Sequence, residues 1–287
     1  MDKSFQEALK SLTRYGNSFG AVPRLRPRWT EKLHFSIKDA RQEPVQYLWF
    51  VGDYASYDPR VADATCAAAR VFHGAGLDFG ILYEDECNSG NDARLAGEEG
   101  LFEALREKNL RSFAKAHFDE VVTTDPHSFQ ALKHEYPGTN GAYTVWHHTQ
   151  LLSELILRGE LRLRKKLAMT VTYHDPCYLG RYNAIFNAPR RVMAALGLDL
   201  VEMPQNRAFA YCCGAGGGRI WMENPPVIKE RPALTRVRDA ASLKGVATLV
   251  VVCPKDMVMF QDAIRTTGLG DRLEVKELSE LVEQAMG

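Results

Sequence analysis

Val45-Gln46-Tyr47-Leu48-Trp49-Phe50-Val51 runs straight into Gly52-Asp53, and the reading of that junction decides the fold. A nearly unbroken apolar run of strand length, stopped by glycine and aspartate, is the pattern of a strand covered on both faces. Pro59 to Gly76 then reads as a small-residue helix closed by glycine, which makes a strand-loop-helix unit. The alternation continues. Phe79 to Tyr83 is a second strand, Asp92 to Lys108 a charged amphipathic helix, Glu120 to Thr123 a third strand, and Pro126 to Glu135 a helix with proline at its start. Strands alternating with helices predict an α/β architecture.

Beyond His147-His148 and a helix over Leu151 to Arg158 the pattern restarts, with a strand from Met169 to Tyr173, then Cys177, then a helix opening at Pro189. The halves share a spacing. Asp53 and Cys87 are 34 positions apart and Cys177 and Cys212 are 35; Cys87 and Asp125 are 38 apart and Cys213 and Cys253 are 40. In each half the first landmark follows a strand, the second lies in a Gly-containing loop, and the third follows a strand and precedes a helix. Loops at the carboxyl ends of parallel strands converge on one crevice, so these landmarks meet in space. The sequence therefore predicts two pseudo-duplicated parallel-sheet units, the first degenerate because it carries aspartates where the second carries cysteines. The expected boundaries are a helical and extended docking segment over 1–42, a first unit over 43–146 and a second over 147–287. No low-complexity linker separates the halves, which favours a tight interface.

The composition, 45% apolar and 25% charged over 287 residues, is that of an ordinary globular protein with enough chain for one large or two medium domains. Thirty-six basic residues balance 36 acidic ones, so no global field recommends nucleic acid or an anionic membrane as a partner. Met1 to Leu12 is charged and helix-like, without the apolar centre of a signal peptide, and the longest apolar stretch, Val246 to Cys253, is far short of a span. The expectation is a cytoplasmic protein, peripheral at the inner membrane through a partner. Reduced thiols in such a compartment favour metal binding over disulfides.

Four of the six cysteines sit at loop positions in the second half: Cys177 in His-Asp-Pro-Cys, Cys212 and Cys213 ahead of Gly214-Ala215-Gly216-Gly217-Gly218, and Cys253 in Val-Cys-Pro-Lys-Asp. Adjacent cysteines do not readily bond each other, whereas adjacent thiolates at a turn can hold a metal centre. Four thiolates match an iron-sulfur cluster, and the Gly-rich run lets backbone amides approach the sulfur atoms. Cys177, Cys212, Cys213 and Cys253 are thus the expected ligands, with Gly214, Gly216, Gly217 and His174 around the cofactor. Two rivals stand. Zinc also takes four thiolates, although structural zinc favours C-x-x-C knuckles that this chain lacks. Free cysteines are also often plain buried residues.

Cys66, among alanines on a predicted helix, reads as a core thiol, and Cys87 lacks cysteine partners in the loop it shares with the first half's landmarks. His174 and Asp175 stand close enough to Cys177 to serve as outer donors or as loop caps. His147 and His148 read as cap or interface residues. Asp53, Asp125 and Asp256 offer only oxygen, which suits such clusters poorly, so they read as solvent-facing or salt-bridged.

Three motifs carry a family resemblance: Tyr173-His174-Asp175-Pro176-Cys177-Tyr178-Leu179-Gly180-Arg181, then Cys212-Cys213-Gly214-Ala215-Gly216-Gly217-Gly218-Arg219-Ile220-Trp221-Met222, and Cys253-Pro254-Lys255-Asp256. They resemble the cysteine-rich CCG domain of the B-type and D-type polypeptides of heterodisulfide reductase. Closer still is the likeness to the iron-sulfur oxidoreductases that pass electrons from electron-transfer flavoprotein to quinone, and to iron-sulfur proteins associated with demethylation of amines such as dimethylglycine. Such proteins commonly have cysteine where this chain has Asp53, Asp125, Ser128 and Asp256. The resemblance therefore implies one cluster in the second unit, either a 4Fe-4S cubane or a linear 3Fe-4S type, rather than the noncubane double cluster that five cysteines support. It implies an electron relay from a flavoprotein donor towards quinone or a ferredoxin-like acceptor, with a membrane or ferredoxin-like redox subunit as partner. Two alternatives go with it: a heterodisulfide reductase-like catalytic subunit, and a non-redox assembly subunit of such a complex.

Overall fold

In the first unit, β1 (Lys38–Asp39), β2 (Val45–Phe50), β3 (Phe79–Ile81), β4 (Phe118–Thr123) and β5 (Thr144–His147) form a five-stranded sheet in the order β1-β3-β2-β4-β5. In the second, β6 (Thr170–Tyr173), β7 (Asp199–Leu200), β8 (Thr248–Val251) and β9 (Glu274–Glu277) form a four-stranded sheet in the order β7-β6-β8-β9. The computed structural model describes residues 2–136, 143–224 and 227–287. One unit comprises Met1–His148 with Gly216–Met222, the other Thr149–Ala215 with Glu223–Gly287.

All strand pairs are parallel, so helices must carry the chain back between strands. In the first unit those returns include Ala62–Gly74, Glu99–Phe113 and Pro126–His134; in the second they include Asn187–Ala195, Pro232–Ser242 and Pro254–Thr267. The two topologies repeat. β3 flanks β2 as β7 flanks β6, and β5 flanks β4 as β9 flanks β8. Strand order therefore reverses between β2 and β4, and again between β6 and β8. At such a reversal the crossover loops leave in opposite directions and open a crevice at the carboxyl edge. The duplicated α/β reading holds.

The strands read as apolar because they are buried: Leu48, Trp49 and Phe50 of β2, and Leu249, Val250 and Val251 of β8, have no exposed surface. Around the first sheet Leu48, Phe50, Phe102, Phe113, Val121 and Leu132 form one cluster. A second cluster joins Phe5, Leu9 and Leu12 of the helix Lys3–Tyr15 to Cys87 and Leu105, with Trp221 and Met222 packed against it. The N-terminal residues are thereby woven into the first unit; Trp29 also meets Trp49 edge-on, with ring centroids 5.3 Å apart.

One expected element differs. The helix predicted over Asp92 to Lys108 is two helices, Asn91–Leu95 and Glu99–Phe113. Gly97 takes a left-handed conformation between them, and the Glu98 N–H closes back on the Ala93 carbonyl, so the first helix ends in a turn rather than running on.

Gly218 shows how tightly Gly216–Met222 is seated in the first unit. Its φ is +74°, and a Cβ there would stand 2.1 Å from Phe5 Cε2. Gly218→Ala adds backbone strain to an overpacked contact, and a destabilisation of about 2 kcal/mol or more is expected in denaturant melts.

Candidate metal centre

β6 and β8 are hydrogen-bonded neighbours, with Tyr173 paired to Val250, so the loops that follow them leave one edge of the second sheet. Those loops carry Cys177 and Cys253. Cys253 is the N-cap of the helix Pro254–Thr267, yet its thiol makes no capping hydrogen bond. Its sulfur stands instead in the positive field of a helix N-terminus, which favours thiolate. Asp125 holds the corresponding place in the first unit, as N-cap of Pro126–His134, and there the carboxylate accepts the N–H groups of His127 and Ser128 at 3.0 and 3.2 Å. The same position caps its helix in one unit and presents a sulfur in the other.

Cys212 and Cys213 complete the set. The Gly214 N–H donates to Cys212 Sγ at 3.3 Å, and the Ala215 N–H donates to Cys213 Sγ at 3.4 Å. Hydrogen bonding with Cys177 and Cys213 holds Cys212 well below the ordinary thiol range, while Cys177 and Cys213 are pushed up by the same bonds and by burial. Cys253 acts electrostatically on both Cys177 and Cys213. Of Cys177, Cys212 and Cys213, the protein alone favours the thiolate at Cys212. A bound cationic core would favour it at the other two.

Behind the sulfurs lies a buried polar group. A ring nitrogen of His174, Cys213 Sγ and a carboxylate oxygen of Asp256 lie within 4.8 Å of one another, and all three residues are buried. His174 Nε2 is 3.7 Å from Asp256 Oδ2, its ring meets Phe260 edge-on, and its Nδ1 accepts from Arg236 Nε at 3.3 Å. Burial first and the Arg236 charge second push the imidazole pKa down to about 3, so the ring stays neutral. Arg236 is fully buried, and its Nη1 and Nη2 have no hydrogen-bond partner among the described residues. Asp175 has a different duty. It accepts both Nη groups of Arg190, at 2.7 and 2.8 Å, and the Arg207 N–H at 2.7 Å, and so pins the loop that carries Cys177.

The first unit fills the equivalent crevice with charge. Asp53, just beyond β2, accepts from Arg26 Nη2 at 2.8 Å, from the Ser18 backbone and hydroxyl at 2.8 and 3.0 Å, and from Asn88 at 2.7 Å. Glu86 accepts from Arg26 Nη1 at 2.7 Å and from the N–H groups of Val51 and Gly52, each at 2.8 Å. All three side chains are buried. Asp53 and Asp125 are salt-bridged or capping, and neither faces solvent as a spare ligand. Cys87 is a core thiol whose ionisation burial pushes up, and Cys66 is buried with its thiol 3.5 Å from the Trp29 carbonyl. His147 and His148 are fully buried at the end of β5.

Of the glycines expected around the cofactor, Gly214 donates to sulfur. Gly216 and Gly217 fall in the first unit, and among the described residues the backbone donors on the thiols are those of Gly214 and Ala215. Sequence reasoning passes over Arg236, and it expects Asp256 to be solvent-facing or salt-bridged, whereas Asp256 is buried beside His174. A signal for Arg236 exists: it shares a helix face with Ala233, Val237 and Ala240, all buried, where an arginine is out of place.

The donor set fits a metal–sulfur group. Soft thiolates converge at a switch point, amide N–H groups aim at them, and a guanidinium lies buried with unmet donors, an arrangement that costs several kcal/mol unless anionic charge is close. Oxygen-seeking ions such as Mg²⁺ or Ca²⁺ do not suit it.

Among the described residues no helix is long and apolar enough to cross a membrane. The chain is 35% identical to the probable iron-sulfur-binding oxidoreductase FadF of Bacillus subtilis, over its whole length and 41% of that protein. It is 32% identical to the EtfAB:quinone oxidoreductase of Syntrophomonas wolfei, over 98% of the chain and 40% of that protein. It is 29% identical to a polypeptide of the dihydromethanophenazine:CoB–CoM heterodisulfide reductase of Methanosarcina barkeri, over 86% of the chain and 60% of the relative. The chain thus spans about two fifths of the length of the first two. Residues 48–133 and 171–261 each match the model of the cysteine-rich domain, CCG. These segments contain the β2–β4 and β6–β8 crevices, and with more than half of its residues matched the chain belongs to the cysteine-rich domain (CCG) family.

Proposed function

We propose that Cys177, Cys212, Cys213 and Cys253 hold one iron-sulfur cluster and that the protein relays electrons from a flavoprotein donor towards quinone or a ferredoxin-like acceptor. The observation that carries this reading is the convergence of four thiols on the β6–β8 switch point, with amide donors on two of them. A bound cluster supplies one-electron redox chemistry. The chain's own residues supply the rest. Gly214 and Ala215 donate to sulfur, the helix Pro254–Thr267 favours the Cys253 thiolate, and Asp175 fixes the Cys177 loop through Arg190. Four thiols suit a cubane, or a linear cluster with two thiolates at each end. Asp256 stands where a fifth thiol would be, which favours a relay over a double-cluster catalyst. The relative named EtfAB:quinone oxidoreductase supports the donor and acceptor classes, and peripheral membrane association through a partner agrees with another relative named a probable membrane-anchored ferredoxin.

The test is an anaerobic preparation analysed for iron, acid-labile sulfide and zinc, with electron paramagnetic resonance before and after reduction. Iron and sulfide together, with a signal that changes on reduction by a flavoprotein, are expected. Zinc alone, or no metal after reconstitution, overturns the proposal.

A further inference from the structure

Arg236 is the least explained charge in the second unit. It sits on the helix Pro232–Ser242 between Ala233 and Val237, and the accessible surface of its side chain is nil. Only its Nε makes a hydrogen bond among the described residues, to His174 Nδ1 at 3.3 Å. The carboxylates that act on it from a distance, Asp239, Asp175, Glu202 and Asp256, do not close a salt bridge with it. Two of them are already taken, because Arg190 binds Asp175 and Glu202 together. The protein has therefore buried a permanent cation without closing a salt bridge to it.

Its one bond is chemically informative. A guanidinium has five donors and no acceptor, so the His174 nitrogen facing it must be unprotonated. The ring proton is then on Nε2, the nitrogen 3.7 Å from Asp256 Oδ2, in a ring within 4.8 Å reach of Cys213 Sγ. Phe260 holds the ring edge-on, with centroids 4.8 Å apart, so ring orientation and tautomer are both fixed.

We infer that Arg236 is the internal counter-ion of the metal centre, acting through His174, which it locks as an Nε2–H donor towards the Cys213 and Asp256 side. This rests on the reading that the four thiols hold an iron-sulfur cluster, whose thiolate-ligated core is anionic. A fixed positive charge behind the sulfurs favours the state with one more electron, so Arg236 raises the reduction potential. It is a positioning residue and touches no reacting atom.

The inference makes opposite demands on the two forms of the protein. Without the cluster the guanidinium is a buried charge with no salt bridge, so Arg236→Met leaves the iron-free protein as stable as the wild type or more so. With the cluster, Arg236→Met removes the counter-ion, and the equilibrium constant for reduction falls at least about tenfold, about 59 mV in a one-electron titration. Arg236→Lys keeps the charge and holds the potential closer to the wild type. Nitrogen-15 spectra of the His174 ring in the iron-free protein show the Nε2–H tautomer in the wild type and a mixture in Arg236→Met. Unchanged potential with a destabilised iron-free Arg236→Met makes Arg236 a packing residue and overturns the inference. If the methionine variant does not fold, a lysine variant with a potential as low as that of a second charge-removing variant, Arg236→Gln, overturns it equally. Iron and sulfide content of the wild type, measured first, separates the two failures: a wild type holding neither overturns the cluster reading as well, whereas a loaded wild type confines the failure to Arg236.

Discussion

Cys253→Ser is expected to fold as well as the native protein and to hold no cluster. Serine is among the preferred N-cap residues, and its hydroxyl can accept an N–H at the start of the helix Pro254–Thr267, a bond that Cys253 does not make. The iron-free melting temperature should be unchanged or higher. Iron and sulfide should fall by more than the roughly 10–100-fold lost when a partner outside the ligand sphere is removed, because here the ligand itself goes. Cys213→Ser should lose the metal to the same degree. Cys87→Ser gives the opposite pair of results: full iron content, with a stability cost of about 1–3 kcal/mol for a hydroxyl placed among Phe5, Leu12 and Leu105. Metal analysis beside a melting curve on these variants separates ligand from core thiol, and a Cys253→Ser protein that retains iron and sulfide removes Cys253 from the ligand set.

Arg26→Met should be the most damaging substitution in the first unit, at about 3–5 kcal/mol in denaturant melts at pH 7. It leaves Asp53 and Glu86 buried together without the cation that binds both. The pH dependence of the loss tests the cause. Burial already raises the Glu86 pKa above its ordinary 4.5, against the pull of Arg26 and the amides of Val51 and Gly52. A carboxyl raised in the folded state adds stability that is fully present below its unfolded pKa and lost as pH rises through its folded pKa. Removal of Arg26 raises that folded value further, so the deficit of the variant is full near neutrality and shrinks as pH falls towards 4.5. Melts at two pH values read it. A deficit that is constant with pH assigns the loss to packing instead. Glu86→Gln, which removes one of the two negative charges, should cost less than Arg26→Met.

How much of this is visible in the sequence depends on how each feature is encoded. The buried strands announce themselves, since Val45–Phe50 and Thr248–Val251 are covered on both faces and leave nearly continuous apolar runs. Two-residue strands such as Lys38–Asp39 and Asp199–Leu200 leave no periodicity to read. The break at Gly97 is hidden by charged residues on either side that keep a helical pattern going. At the candidate centre, the four cysteines stand out because they lie in loops marked by glycine and proline. Arg236 does not, because a charged residue on a helix is ordinarily solvated, and only the burial of the face that carries it gives it meaning.

The exchange of aspartate for cysteine at one helix cap bears on how the protein is made. The first unit closes its own charges with Arg26, Asp53 and Glu86 and caps its helix with Asp125, so these contacts need no group from outside the chain. The second places Cys253 at the same cap without a capping bond from its sulfur. On the cluster reading proposed above, an apo chain would thus have one unit whose contacts are already closed and one whose thiols still await the metal.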